Sequence, residues 1–121
     1  MNSFAHVRPD VLDLHKTVLD AARREYERGH GRLRNTEFLS VLIEDPAFAW
    51  LNPLTALIVR IDEALEDEEQ SPELEELASR LRALIAPGTG DREFQRRYAD
   101  ILQREPDALV AHVRTMRALQ R

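Results

Sequence analysis

The groups in this sequence whose types could do chemistry are four histidines, four serines, many carboxylates and one Pro-Gly-Thr-Gly turn. A di-metal centre in a helical bundle needs Glu-x-x-His motifs on two facing helices, with further carboxylates around them. Glu27 and His30 have that spacing, but Gly29 stands between them and no second copy exists. His15 and His112 sit on or beside apolar stripes, the ordinary setting of a core-edge imidazole bonded to a backbone carbonyl or a carboxylate; His6 and His30 read as solvent-facing. Ser3, Ser40, Ser71 and Ser79 lack a Gly-x-Ser-x-Gly elbow. Pro87–Gly88–Thr89–Gly90 lacks the Gly-Lys-Ser/Thr ending of a phosphate loop. With no cysteine, thiolate zinc sites, iron–sulfur clusters, disulfides and cysteine nucleophiles are excluded. No carboxylate is isolated in an apolar segment, the setting that raises a pKa for acid–base work; Asp62, next to Ile61, comes closest. The residue chemistry therefore points to neither an enzyme nor a cofactor.

The elements that would position these groups are helices. Val11, Leu14, Val18, Ala22 and Tyr26 recur at three- or four-residue steps between Pro9 and Arg28, with Leu12, His15 and Leu19 widening the stripe. Pro9 suits a first helical turn, Gly29 and Gly31 suit a stop, and Asp20 with Arg24 offers an i,i+4 pair. A shorter helix starts at Asn35 or Thr36 as N-cap, carries Phe38, Leu39, Leu42 and Ile43, and stops before Pro46. Pro46 to Leu51 reads as a tight apolar connection of one helical turn. Asn52–Pro53 and Ser71–Pro72 each read as a capping residue followed by proline at the first helical position. The helix after the first is central, over residues 53–66. Leu54, Leu57, Ile58, Ile61 and Leu65 form one face, and Ala56 and Val59 lie on the other. Leu74, Leu77, Leu81, Leu84 and Ile85 give the next stripe, up to the break at Pro87. Asp91 is placed to cap a fifth helix with Phe94, Tyr98, Ile101 and Leu102 inward. Pro106 begins or kinks a last one, with Leu109, Val110, Val113, Met116 and Leu119 as its stripe. No segment alternates like a strand. The expectation is an all-α bundle of five to six helices, one domain over residues 1–121.

Length and composition agree. At 121 residues, 14.0 kDa and 43% hydrophobic, the chain is too short for two independent cores and too apolar for disorder. Met1 to Asp10 holds no apolar signal-peptide core. The longest apolar stretch, Ala47 to Ile61, is broken by Asn52 and Pro53 and falls short of the roughly 20 residues of a membrane span. Lys16 is the only lysine among many arginines, a bias that suits a GC-rich bacterial genome; a cytoplasmic location is the default expectation.

The net charge of −5 is unevenly spread. Nine acidic residues and no basic ones lie between Asp62 and Glu76: Asp62, Glu63, Glu66, Asp67, Glu68, Glu69, Glu73, Glu75 and Glu76. The remainder carries 17 positive and 13 negative side chains. The acidic segment reads either as a solvated corner or as a docking surface for a basic protein partner. Arg23, Arg24, Arg28, Arg32 and Arg34, and Arg92, Arg96, Arg97 and Arg104, could contact phosphates, but acids interleave both groups. The polar groups of the helix over 53–65, the only candidate reading helix, are mostly acidic, which argues against nucleic-acid binding.

The most distinctive stretch is Phe48–Ala49–Trp50–Leu51–Asn52–Pro53–Leu54, continuing to Leu57–Ile58–Val59–Arg60–Ile61–Asp62–Glu63. Trp50, the only tryptophan, reads as a wedge that sets the entry angle of the central helix. This stretch resembles a family of short, uncharacterised bacterial helical proteins with a Phe-Ala-Trp-Leu-x-Pro-Leu…Leu-Ile-x-Arg-Ile-Asp-Glu pattern. Leu14–His15–Lys16, Tyr26–Glu27–Arg28 and Pro106–Asp107 to Ala111–His112 look similar too. The resemblance implies a complete single-domain protein and lends no activity, cofactor or site residue.

Three functional expectations follow. The leading one is a non-enzymatic interaction or regulatory bundle, a homodimer using Ala56, Val59, Asp62, Glu63, Glu66, Asp67, Glu68 and Glu69 as its surface. The second is a small-molecule- or metal-binding bundle, with His15, Tyr26, Trp50, Tyr98 and His112 lining a cavity. The third is an acidic-faced regulator of a nucleic-acid-binding protein.

Overall fold

The computed structural model describes residues 7–66, 71–88 and 92–120. They form six α-helices: α1 (Arg8–His30), α2 (Asn35–Glu44), α3 (Asn52–Glu66), α4 (Ser71–Ile85), α5 (Arg92–Arg104) and α6 (Pro106–Leu119). A 3₁₀ turn (Pro46–Leu51) joins α2 to α3. No strand occurs among the described residues, so the chain is an all-α bundle around one core. No described helix is long and apolar enough to cross a membrane.

α1 is the hub of that core. Val11, Leu14, Val18, Ala21 and Ala22 bury one continuous face. Gly31 ends the helix at φ 87°, a conformation that favours glycine, and its N–H reaches the Glu27 carbonyl at 2.8 Å. Asp20 and Arg24 do not pair with each other. Asp20 faces Lys16 at 3.8 Å, and Arg24 crosses to Glu105. The loop into α2 is held from α1: Arg23 donates to the Leu33 carbonyl at 2.6 Å and lies 4.6 Å from the Phe38 ring centre, while Glu27 accepts the Leu33 N–H at 2.8 Å. α2 then starts at Asn35, not with a polar side-chain cap from Asn35 or Thr36. Instead Glu37 reaches back to accept the Arg34 N–H at 2.9 Å.

The start of α3 also differs from the expectation. Asn52 is already helical (φ −54°, ψ −41°), because the 3₁₀ turn runs straight into α3 and supplies its first carbonyls. Asp45 does the capping in this region. Its carboxylate accepts the Ala47 N–H at 2.9 Å and the Tyr26 hydroxyl at 3.0 Å, fixing the turn to α1. Both bonds favour the anion, the backbone one more, and hold the Asp45 carboxyl below its usual range. The central position expected for α3 holds in part: Leu54, Ile58, Ile61 and Ala64 are buried, whereas Ala56 and Val59 face outward.

α4 buries Leu74, Leu77, Ala78, Leu81, Leu84 and Ile85. The Gln95 amide of α5 donates to the Leu84 carbonyl, satisfying an acceptor that the helix end leaves open. The capping role expected of Asp91 lies outside the described residues. α5 contributes Phe94, Tyr98 and Ile101 to the core. Glu105, extended ahead of Pro106, separates α5 from α6, so Pro106 begins a helix and does not kink one.

α6 keeps only part of its expected stripe: Leu119 is buried and Met116 packs against the core, but Leu109, Val110 and Val113 do not. Its buried residues are Ala108, Ala111, Thr115, Ala118 and Leu119. Leu109, Val110 and Val113 are 46%, 49% and 40% exposed. The cause is the α1–α6 pairing, the most extensive between any two elements. Thr115 donates to the Asp10 carbonyl at 3.1 Å, and small side chains let the two backbones come that near. Larger side chains on the buried face would hold the helices apart and leave the hydroxyl without its acceptor.

Candidate functional site

The five residues expected to line one cavity occupy three places. Tyr26 and Trp50 share a cleft between the C-terminal half of α1, the 3₁₀ turn and α5. Tyr98 is buried beneath Phe94, its ring stacked at 5.1 Å, and its hydroxyl bonds His112 Nδ1 at 2.7 Å. His15 lies on the α1–α3 seam, with Nε2 3.0 Å from Thr55 Oγ1. The expectation of a backbone or carboxylate partner for these two histidines is therefore corrected: both bond hydroxyls. Among the described residues no group of three or more His, Asp or Glu side chains is arranged to hold a metal ion. His6 lies outside the described residues.

Burial lowers the pKa of both His15 and His112 below the usual 6.5. Each is neutral in the folded chain at neutral pH, while the unfolded chain takes up a proton near 6.5. Their stabilising contribution is thus complete above pH 6.5 and is lost as pH falls below it toward the folded-state values. Thermal denaturation followed by circular dichroism is expected to give a lower Tm at pH 5 than at pH 7. The joint His15→Gln and His112→Gln variant should show a smaller difference. An equal difference in both proteins would contradict the burial of the rings.

The cleft encloses about 230 Å³ and is half open. The 3₁₀ turn builds its floor, because the tight rise turns Phe48 and Leu51 into the core and leaves Trp50 half-buried at the rim. Phe48 packs edge-on to Phe38 at 5.6 Å and tilted on Tyr26 at 5.2 Å. Trp50 meets Phe94 at 5.8 Å, so it wedges the turn against α5 without being fully enclosed. The exposed His30 ring lies parallel to Tyr26 at 4.0 Å. The Tyr26 hydroxyl donates to Asp45, and that bond, with burial, raises its pKa.

Charged groups flank the floor in two sets. Arg104 bridges Glu25 of α1 at 3.1 Å and Asp100 of its own helix at 3.0 Å. Glu93 takes both Arg96 at 2.8 Å and Arg97 at 3.2 Å. The basic clusters singled out as phosphate contacts are thus largely paired: Arg23 and Arg34 with Glu27 and Glu37, Arg24 with Glu105, and Arg96, Arg97 and Arg104 as above.

The expected interaction surface falls on the outer side of the α1–α3 seam. These helices run antiparallel, since His15 meets Thr55 while Arg8 meets Asp62. Between those contacts Val59, 50% exposed, lies opposite Leu12, 42% exposed, and Ala56 is exposed beside them. Arg8 stands 2.6 Å from Asp62 Oδ1 without hydrogen-bond alignment, so the pair is an ionic contact. Glu63 and Glu66 are exposed, and Asp67, Glu68 and Glu69 lie outside the described residues. The acidic segment also draws cations from beyond itself: Arg60 meets Glu73 at 3.4 Å and Arg80 meets Glu76 at 3.1 Å.

Two further apolar faces are exposed, on α2 and on α6. α2 buries only Phe38, leaving Leu39 exposed and Ile43 81% exposed. α6 presents Leu109, Val110 and Val113 together. No family model, curated protein or solved structure matches this chain.

Proposed function

We propose that this protein is a non-enzymatic interaction module that forms a homodimer through the outer face of α6. The observation that carries this is the helix's inverted packing: it buries alanines and turns Leu109, Val110 and Val113 to solvent. Contiguous apolar side chains of this size on a small domain mark an interaction surface. The partner is a second copy because the charges of α6 are self-complementary. Asp107 stands at its start and Arg114 and Arg117 near its end. An antiparallel two-fold pairing centred on the apolar stripe sets Asp107 of each copy near the arginines of the other. This relocates the dimer surface from Ala56 and Val59 of α3, where Val59 is the one large apolar side chain exposed on its helix, to a helix that exposes three.

Light scattering tests the reading. The wild type is expected to be dimeric at micromolar concentration. Val113→Glu should give a folded monomer, with dimerisation weakened at least about tenfold by placing a charge in the apolar contact. Arg117→Asp should weaken the dimer, and adding Asp107→Arg should restore it. A wild type that stays monomeric at high concentration sinks the proposal.

A further inference from the structure

The cleft between α1, the 3₁₀ turn and α5 is flanked by two sets of charged side chains, neither of which balances itself. Glu25 and Asp100 share one guanidinium, that of Arg104, which leaves that end with a negative charge in excess. Arg96 and Arg97 share one carboxylate, that of Glu93, which leaves the other end with a positive charge in excess. Arg97 and Asp100 both line the cleft and are not paired with each other. At i,i+3 on one helix their side chains start roughly 5–6 Å apart. A cation and an anion held side by side at that spacing suit a head group with an ammonium and a carboxylate on one carbon. The same cleft is lined by the aromatic residues Tyr26, Phe48 and Trp50. The volume of about 230 Å³ is below the roughly 300–1,000 Å³ of sites for drug-sized molecules. We infer that the cleft binds a small aromatic α-amino zwitterion, with its carboxylate on Arg97, its ammonium on Asp100 and Glu25, and its ring on the aromatic floor.

Trp50 lines the cleft and is the only tryptophan, so its fluorescence reports occupancy directly. The probe is free L-phenylalanine, compared with 3-phenylpropanoate, which lacks the ammonium, and phenethylamine, which lacks the carboxylate. L-phenylalanine is expected to change Trp50 emission saturably, with each analogue binding about tenfold more weakly for the charge-assisted contact it loses. Arg97→Gln should abolish the preference over phenethylamine, and the joint Glu25→Gln and Asp100→Asn variant the preference over 3-phenylpropanoate. No saturable change with L-phenylalanine, equal binding of all three compounds, or unchanged preferences in the variants would overturn the inference. If a variant loses helicity, the comparison of the three compounds on the wild type decides. The α6 face takes no part in the cleft, so this result and the dimer test stand independently.

Discussion

Phe48→Ala is expected to lower stability by about 3–5 kcal/mol, as a deeply buried phenylalanine does when truncated. For a domain of this size that corresponds to a fall in Tm of very roughly 10–20 °C. Phe48 is 2% exposed and packs between α2 and α1. On one side it contacts Phe38, the single buried residue of α2; on the other it contacts Tyr26 of α1. Removing the ring takes away the surface against which α2 is held and opens the floor of the cleft. Circular dichroism should therefore show the lower Tm, and hydrogen exchange should show α2 losing protection before α1. Phe48→Leu, which keeps most of the volume, should lose less than half as much. A loss below about 1 kcal/mol for the alanine variant would mean that the aromatic cluster does not anchor the turn.

Ala111→Leu is the second large effect. Ala111 is 1% exposed and lies on the face of α6 that packs on the core, in the helix that pairs most extensively with α1. Extra methylenes there force the helices apart, which costs about 1–3 kcal/mol. They also stretch the Thr115 bond to the Asp10 carbonyl. The control is in the same helix: Val110→Ala, at a half-exposed position, should change the stability of the monomer by no more than about 0.5 kcal/mol. Urea unfolding of both variants at low protein concentration measures the contrast. If the order were reversed, α6 would pack on its valines.

That contrast also marks where the sequence stopped being readable. α4 buries its expected stripe in full and α1 and α5 bury the centre of theirs, Val11, Leu14, Val18 and Ala22 in α1 and Phe94, Tyr98 and Ile101 in α5, while Leu12 at the edge of the α1 stripe stays exposed. In α6 the larger side chains and the smaller ones form two rival stripes about half a turn apart. Hydrophobicity favours the first, whereas a close helix–helix approach selects the second, and the approach distance is a property of the partner helix. The capping residues show a related difficulty. Asp45–Pro46 and Asn52–Pro53 carry the same signal of a capping side chain before proline. Only Asp45 of these two caps its helix, because the 3₁₀ turn makes the second site an interior one. Asp45–Pro46 therefore both stops α2 and caps the turn that follows it. Of the cleft, Tyr26 and Trp50 were legible as aromatic residues at the ends of apolar segments. Glu25, Arg97 and Asp100 were not, since they enter through the way α1 and α5 face each other.

The pairing of α1 with α6 has a consequence for how the chain is made. Thr115 and the Asp10 carbonyl it bonds are 105 positions apart. At a synthesis rate of about 5–20 residues per second, roughly 5–20 s separate the emergence of the two helices from a ribosome. Throughout that interval the face of α1 that carries Val11, Leu14 and Val18 lacks the helix with which α1 pairs most extensively. The nascent chain must therefore carry an apolar furrow on α1 until translation delivers its cover, and in the cell that furrow is where a chaperone would first find purchase.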